Sequence, residues 1–356
     1  IEDGVDIEDY DAIYSGLADL GNECSGVFVD PSTLNHHIYN CICDTFPAES
    51  VVFGKSPVIL EKSVKTDSEI EHLRQTYVED GVAVERFLHW LETEVATGRD
   101  VSEWEASERL TAFRAEILGY RGNSFENISA YGPGAALPHY ITPKEGSAVI
   151  RPYGLYLVDS GGQYYEGTTD ITRTYVLGEL PFEWKQHYTA VLRGMLALSD
   201  AKFLYGCRGI NLDILARGPL WQMGLDYRCG TGHGVGYMLS VHEGPQSIHW
   251  GRANTTPLEV GMITSNEPGF YLEGAFGVRL ENLTAVKEVA TNGYGRFLRF
   301  ETLTMVPFDL DAIIPELLGE ECRGILNAYH AKVRQTLAPY MTAEENAWLA
   351  DATRAI

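Results

Sequence analysis

Residues 155–176 read LYLVDSGGQYYEGTTDITRTYV, two apolar runs that each carry one aspartate and are joined by a glycine-rich link. Asp159 and Asp170 stand eleven positions apart, a spacing that also aligns two residues on one face of a helix. Gly161, Gly162 and Gly167, set among Tyr164, Tyr165, Thr168, Thr169, Ile171 and Thr172, argue against the helix. The composition predicts antiparallel strands with both carboxylates on facing strands.

The same construction recurs later. In SNEPGF (265–270) Pro268 restricts Glu267 to an extended backbone, and Gly269, Gly274 and Gly277 mark turns before Glu281 in RLEN (279–282). His233 lies between glycines in GTGHGVG (230–236), where small neighbours let an imidazole approach a ligand. Four acids within apolar stretches such as GLYLVDSG and GVRLENLTAV repel one another and lose hydration unless cations sit among them. Hard oxygen donors with one nitrogen suit a pair of divalent ions. Asp159, Asp170, His233, Glu267 and Glu281 are therefore the candidate metal ligands of a hydrolase. His139 in GAALPHY and His242 in VHEGP read equally as core histidines or site residues, and Arg279 is placed to orient a ligating carboxylate.

Around these motifs, helical spacing runs from Asp67 through Ile70, Leu73, Tyr77, Val84, Phe87, Leu88 and Leu91, with Asp67 or Ser68 as the expected cap. A second helix is expected after a capping box at Ser102 to Glu105. Strands are expected over 128–176, helices near 182–203 and 212–223, strands over 262–306, and a helical tail from Asp311 with a capping box at Thr342 to Glu345. Helices then strands, twice over, predict an α+β domain of two similar halves. Residues 1–62, with the short runs SGVFVD and SVVFG, suggest a fragment of a small α/β domain.

Composition narrows the partners. A net charge of −23 argues against nucleic acid and anionic membranes, and 45% apolar residues suffice for a packed interior. No apolar run approaches the ~18 residues of a membrane span, so a soluble protein is expected. The chain starts at Ile1 with an acidic stretch and no basic-then-apolar leader, which suggests a trimmed or processed piece of something longer. Six scattered cysteines without a CxxC pair read as reduced, intracellular thiols.

Taken together with DPSTLN, the helix SEIEHLRQTYVEDGVAVERFLHWLE, GTGHGVGYMLSVHEGP, SNEPGFY and LTMVPFD, the ligand motifs resemble the pita-bread metallopeptidases, and among them the Xaa-Pro aminopeptidases. The resemblance implies a pita-bread (creatinase/aminopeptidase) fold with pseudo-twofold halves over 63–356, including a helical extension from about 308. It also implies that 1–62 is the C-terminal part of a creatinase-like middle domain. Two divalent ions are implied, Mn²⁺ first and Co²⁺ or Zn²⁺ as alternatives. Asp159 would hold one ion, Asp170 and Glu281 would bridge both, and His233 with Glu267 would complete the other. A hydroxide between the ions would attack the bond before proline with Glu267 as general base, while His139 and His242 bind substrate. A cytoplasmic homodimer acting on peptides with an Xaa-Pro N-terminus is implied as well. Cys229 stands in CGTGHG where such proteins commonly read HGTGHG, so a thiol replaces an imidazole beside the substrate. Alternatives are an Xaa-Pro dipeptidase, a metal-free creatinase-like enzyme and a non-enzymatic binding module.

Overall fold

The structure is a computed structural model that describes residue 4, residues 7–251 and residues 255–356. It divides into two compact units, Ile1–Lys62 and Ser63–Ile356. In the first, helices Ala12–Glu23 and His36–Thr45 accompany a parallel strand pair, Val27–Val29 with Val51–Phe53. Leu17, Val29, Ile42 and Phe46 form its small core, and the Asn35 side chain caps the second helix by accepting from the Ile38 amide at 2.9 Å.

The second unit repeats one plan. Helices Asp67–Ala96 and Glu103–Ala115 precede an antiparallel sheet ordered 171–176, 155–160, 128–131. Helices Phe182–Ser199 and Gly209–Gln222 accompany an antiparallel sheet ordered 202–204, 295–302, 282–292, 263–266. This is the α+β architecture expected from the sequence. The helix 67–96 buries Leu73, Tyr77, Phe87 and Leu91 against the first sheet, each worth about 2 kcal/mol of apolar burial.

Two helix starts differ from the sequence reading. Thr66, not Asp67 or Ser68, caps the long helix: Glu69 Oε2 accepts the Thr66 amide at 2.8 Å and Thr66 Oγ1 accepts the Glu69 amide at 3.3 Å. Thr66 and Glu69 are the T-x-x-E pair of a capping box. At Ser102 only half the expected box forms, with Ser102 Oγ accepting from the Glu105 amide, because the Glu105 carboxylate is drawn instead to Arg99. The box at Thr342 and Glu345 forms in full.

The tail comprises helices Pro315–Leu318, Glu320–Leu337 and Ala343–Ala352. Ahead of it, Asp309 accepts the Val176 amide at 2.7 Å and the Asp311 amide at 2.8 Å. Burial pushes the Asp309 carboxyl up to about 7, with Asp311 and Glu92 adding to the shift and the two amides opposing it. Its folded pKa thus exceeds the unfolded value of about 3.9. Its favourable contribution is complete below that value and lost as pH rises through about 7. The urea midpoint is expected to fall between pH 4 and 8 less steeply in Asp309→Asn than in the unsubstituted chain; equal slopes in the two would refute the linkage.

All six cysteines are unpaired. Among the described residues, no helix is long and apolar enough to cross a membrane.

Candidate metal centre

Asp159 lies on the strand Leu155–Ser160, opposite Thr172 on the antiparallel strand Ile171–Val176, and Asp170 immediately precedes that strand. The link between them is more than the simple turn expected. It forms a small hairpin, 162–164 with 167–168, that pairs in turn with Tyr120–Asn123. Gly161 makes the crossing possible: a Cβ there would lie 1.9 Å from the Thr169 carbonyl.

Glu267 follows the strand Ile263–Asn266, and Glu281 precedes the strand Asn282–Asn292. The hairpin 269–272 with 276–279 lies between them. The two halves join where the Glu281 amide donates to the Thr172 carbonyl at 3.1 Å. His233 is carried on the short strand Gly232–His233, its amide donating to Ser265 Oγ at 2.9 Å. A Cβ on Gly232 would sit 2.0 Å from the Ser265 carbonyl, so only glycine lets the histidine strand come this close.

These elements bring the acids and the imidazole together. Asp170, His233 and Glu281 each offer a donor atom within 4.8 Å of the others. His233 Nε2 lies 3.1 Å from Glu267 Oε1 and 3.5 Å from Asp170 Oδ2. Asp159 and Glu267 stand outside the tight trio but line the same cavity, about 500 Å³ in volume, with Asp170 and His233. Arg279 Nη2 donates to Asp159 Oδ2 at 2.7 Å, and Ser265 Oγ donates to Glu267 Oε1 at 2.9 Å.

The electrostatics are those of a site made for cations. Burial drives Asp170 well above the usual carboxylate range, and Glu281 and Asp159 add to the shift. Glu281 rises likewise through burial, then through Glu267 and Asp159. Burial also acts on Glu267, but His233 and Arg279 outweigh it and hold this carboxyl below its ordinary value. Burial disfavours a charged His233, yet the hydrogen bond and charge of Glu267 raise it to about 9. Buried Asp159 Oδ1 and Glu281 Oε1 have no hydrogen-bond partner. Orphaned carboxylate oxygens facing like charge fit divalent ions, whose bonds satisfy both the lone pairs and the repulsion.

The remaining sequence candidates reach the same place. The His242 ring lies 4.3 Å from that of His233 and nearly perpendicular to it. Burial and His233 push its pKa down, which keeps it a neutral imidazole near pH 7. His139 and Cys229 line the cavity. Burial, then Glu267, raises the Cys229 thiol, which meets the Tyr271 side chain.

Sequence reasoning missed the groups that hold these candidate ligands. Thr172 Oγ1 donates to Glu281 Oε2 at 2.7 Å and accepts from Arg279 Nε at 3.2 Å, so Arg279 reaches Glu281 only through this hydroxyl. Tyr271 accepts from Arg279 Nη1 at 2.8 Å. Arg173, fully buried, donates to the carbonyls of Thr172 at 2.9 Å, Pro307 at 2.9 Å, Val306 and Glu281, and to Asn282 Oδ1 at 2.7 Å. It also reaches the Tyr329 hydroxyl at 3.2 Å and lies over the Phe308 ring. Thr172 and Arg173 directly follow Asp170 and Ile171 in DITRT, and their adjacency to a candidate ligand was the available signal.

An antiparallel two-half α+β body with clustered carboxylates and one imidazole is the framework of a pita-bread metallohydrolase. The family described as Metallopeptidase family M24 matches residues 71–288, and the C-terminal region of peptidase_M24 matches residues 296–356. Aminopeptidase P2 of Arabidopsis thaliana is 38% identical, covering 99% of this chain and 54% of its own. A probable Xaa-Pro aminopeptidase P of Laccaria bicolor is 41% identical over 86% of this chain and 49% of its own. The X-prolyl aminopeptidase of Caenorhabditis elegans, described as a cytosolic enzyme with a di-nuclear active site, superposes with a TM-score of 0.91 at 35% identity, covering 100% of this chain and 59% of that one. The Xaa-Pro dipeptidase of Bacillus anthracis gives a TM-score of 0.69 at 28% identity, with 85% and 78% covered. The chain belongs to metallopeptidase family M24, and it spans about half the length of the curated relatives it matches.

Proposed function

We propose that this protein is a two-metal aminopeptidase that removes the first residue from peptides with proline in second position. The observation that carries the reading is the convergence of five side chains, Asp159, Asp170, His233 and Glu267 lining one cavity and Glu281 meeting Asp170 and His233, in a chain about 40% identical to proteins named for that activity. These five residues would hold two divalent ions, Mn²⁺ by preference and Co²⁺ or Zn²⁺ in its place. When bound, the ions supply positive charge that polarises a peptide carbonyl and makes water acidic enough to serve as nucleophile near neutral pH.

The chain's own groups divide the remaining work. Glu267, held ionised by His233 and Arg279, accepts a proton from the attacking water as general base. His242, neutral and beside His233, offers an N–H to the carbonyl oxygen as charge builds on it, and His139 faces the same cavity. Donors of this kind contribute about 3 kcal/mol each to the transition state. Arg279 fixes Asp159 directly and Glu281 through Thr172.

Residues 1–62 form, in this reading, the end of a middle domain that precedes the catalytic one. The protein acts in the cytoplasm as a homodimer, and sedimentation analysis tests the dimer. Cys229→His is expected to preserve or raise turnover of an Xaa-Pro peptide, since an imidazole there adds a proton carrier and a donor to the cavity. A large drop in kcat would show that the thiol has a role of its own.

The deciding assay compares Ala-Pro with Ala-Pro-Ala-Ala, each with added Mn²⁺ and after chelation. Metal-dependent release of alanine from the tetrapeptide supports the aminopeptidase. Cleavage confined to the dipeptide supports a dipeptidase, and cleavage of neither rejects both.

A further inference from the structure

Two of the candidate ligands, His233 and Glu267, meet beside a segment that has no helix or strand of its own. Residues 225–231 run between the helix Gly209–Gln222 and the short strand of His233. Backbone carbonyls in such a segment have no ladder to join, so their donors come from elsewhere. Here one side chain supplies them. Arg217, fully buried on that helix, donates to the carbonyl of Tyr227 and, at 3.2 Å, to that of Cys229. Its guanidinium also reaches Thr231 Oγ1 at 3.4 Å and lies over the Tyr227 ring, 3.8 Å from its centre. Positions 227, 229 and 231 are thus held by a single planar fork.

The fork is itself fixed. Asp213, one turn back on the same helix and 0% exposed, accepts from Arg217 Nε at 2.8 Å and Nη2 at 3.2 Å. Asp226 accepts from Nη1 at 2.8 Å. Thr231 Oγ1 donates to Asp213 Oδ1 at 2.5 Å and lies 2.6 Å from the Tyr227 hydroxyl, which closes the network. A buried ion pair gives little net stability over apolar side chains of the same volume. What this one adds is a set path for the loop.

That path reaches the candidate metal centre through Thr231, whose carbonyl accepts the Glu267 amide at 2.8 Å and whose amide donates to the Ile248 carbonyl at 2.9 Å. Two residues on, His233 Nε2 stands 3.1 Å from Glu267 Oε1. Two residues back, Cys229 lines the cavity. A shift of the loop therefore moves Glu267 against His233 and reshapes the wall at Cys229.

We propose that Arg217 is a positioning residue for catalysis: by setting the path of 226–231 it sets where Glu267 stands relative to His233. The proposal rests on the reading of this cavity as the peptide site. Glu267 is the general base in that reading, so the effect falls on kcat more than on KM.

Arg217→Lys keeps a positive charge against Asp213 but cannot span the carbonyls of Tyr227 and Cys229 as a planar fork does. With Mn²⁺ and Ala-Pro-Ala-Ala, kcat of the full chain is expected to fall by about 10–100-fold while KM changes little. The loop itself is read by iodoacetamide alkylation of the chelated protein. Cys229 is expected to react severalfold faster in Arg217→Lys, whereas Cys322 of the tail, also partly buried, keeps its rate. An unchanged kcat, or equal acceleration of both thiols as in a general loss of stability, overturns the proposal. Should Arg217→Lys fail to fold, Thr231 provides a milder pair. Thr231→Ser, which keeps the hydroxyl, is expected to retain a higher kcat and a slower Cys229 reaction than Thr231→Val. A valine variant that behaves as the serine variant does overturns the proposal as well. If the unsubstituted chain cleaves no peptide, the aminopeptidase reading falls separately, and the ratio of the two alkylation rates still decides whether Arg217 holds the loop.

Discussion

Glu281→Gln is expected to lower release of the first residue from an Xaa-Pro peptide by about 10³-fold, roughly 4 kcal/mol of transition-state stabilisation. The side chain keeps its size and can still bond to Thr172, so packing around 0% exposed Leu280 and Leu283 is preserved. What changes is charge at the point where Asp170, His233 and Glu281 meet. A neutral amide would hold divalent cations more weakly than a carboxylate does. Metal content should therefore fall from about two ions per chain toward one, while the unfolding temperature of the chelated protein holds or rises, because burial and the neighbouring acids oppose the Glu281 charge. Full activity with full metal content would remove Glu281 from the site.

Arg173→Leu is expected to cost about 4 kcal/mol of stability or more. The leucine can replace the contact with Phe308 but none of the bonds to Thr172, Glu281, Asn282, Val306 and Pro307. The Thr172 carbonyl keeps the Glu281 amide and the Val306 carbonyl keeps the Tyr329 hydroxyl, but the Pro307 and Glu281 carbonyls lose the guanidinium donor, each at about 1–3 kcal/mol. For a body of this size the loss corresponds to roughly 10 °C in unfolding temperature. Because the guanidinium ties the strand of Thr172 to Glu281 from behind, metal affinity should weaken as well, by about tenfold or more. Tyr329→Phe, which removes one hydroxyl from the same cluster, is expected to shift both quantities in the same direction by less. Unchanged thermal stability in Arg173→Leu would contradict the account of this clamp.

Much of this was legible in the sequence for identifiable reasons. Glycines at 161, 162 and 167 ruled out a helix across the aspartates, and Pro268 with its following glycines did the same near Glu267. The long helix announced itself through Leu73, Tyr77, Phe87 and Leu91, all of which are buried. Its cap was misplaced because Asp67 and Ser68 are good caps in isolation, and only the return bond from Glu69 selects Thr66. The hairpin inserted between Asp159 and Asp170 was hidden because its partner, Tyr120–Asn123, lies far back in the chain. Long-range partners were invisible for the same reason. Nothing local says that Thr172 reaches Glu281, more than a hundred residues away, or that Arg173 binds the carbonyls of 306 and 307.

The most direct test of the central claim is the metal content of the chain after chelation and titration with Mn²⁺, read by native mass spectrometry. About two ions bound per chain are expected, with a loss on substituting any of Asp159, Asp170, His233, Glu267 or Glu281. Absence of stoichiometric binding, or binding that is unchanged in all five variants, would contradict it.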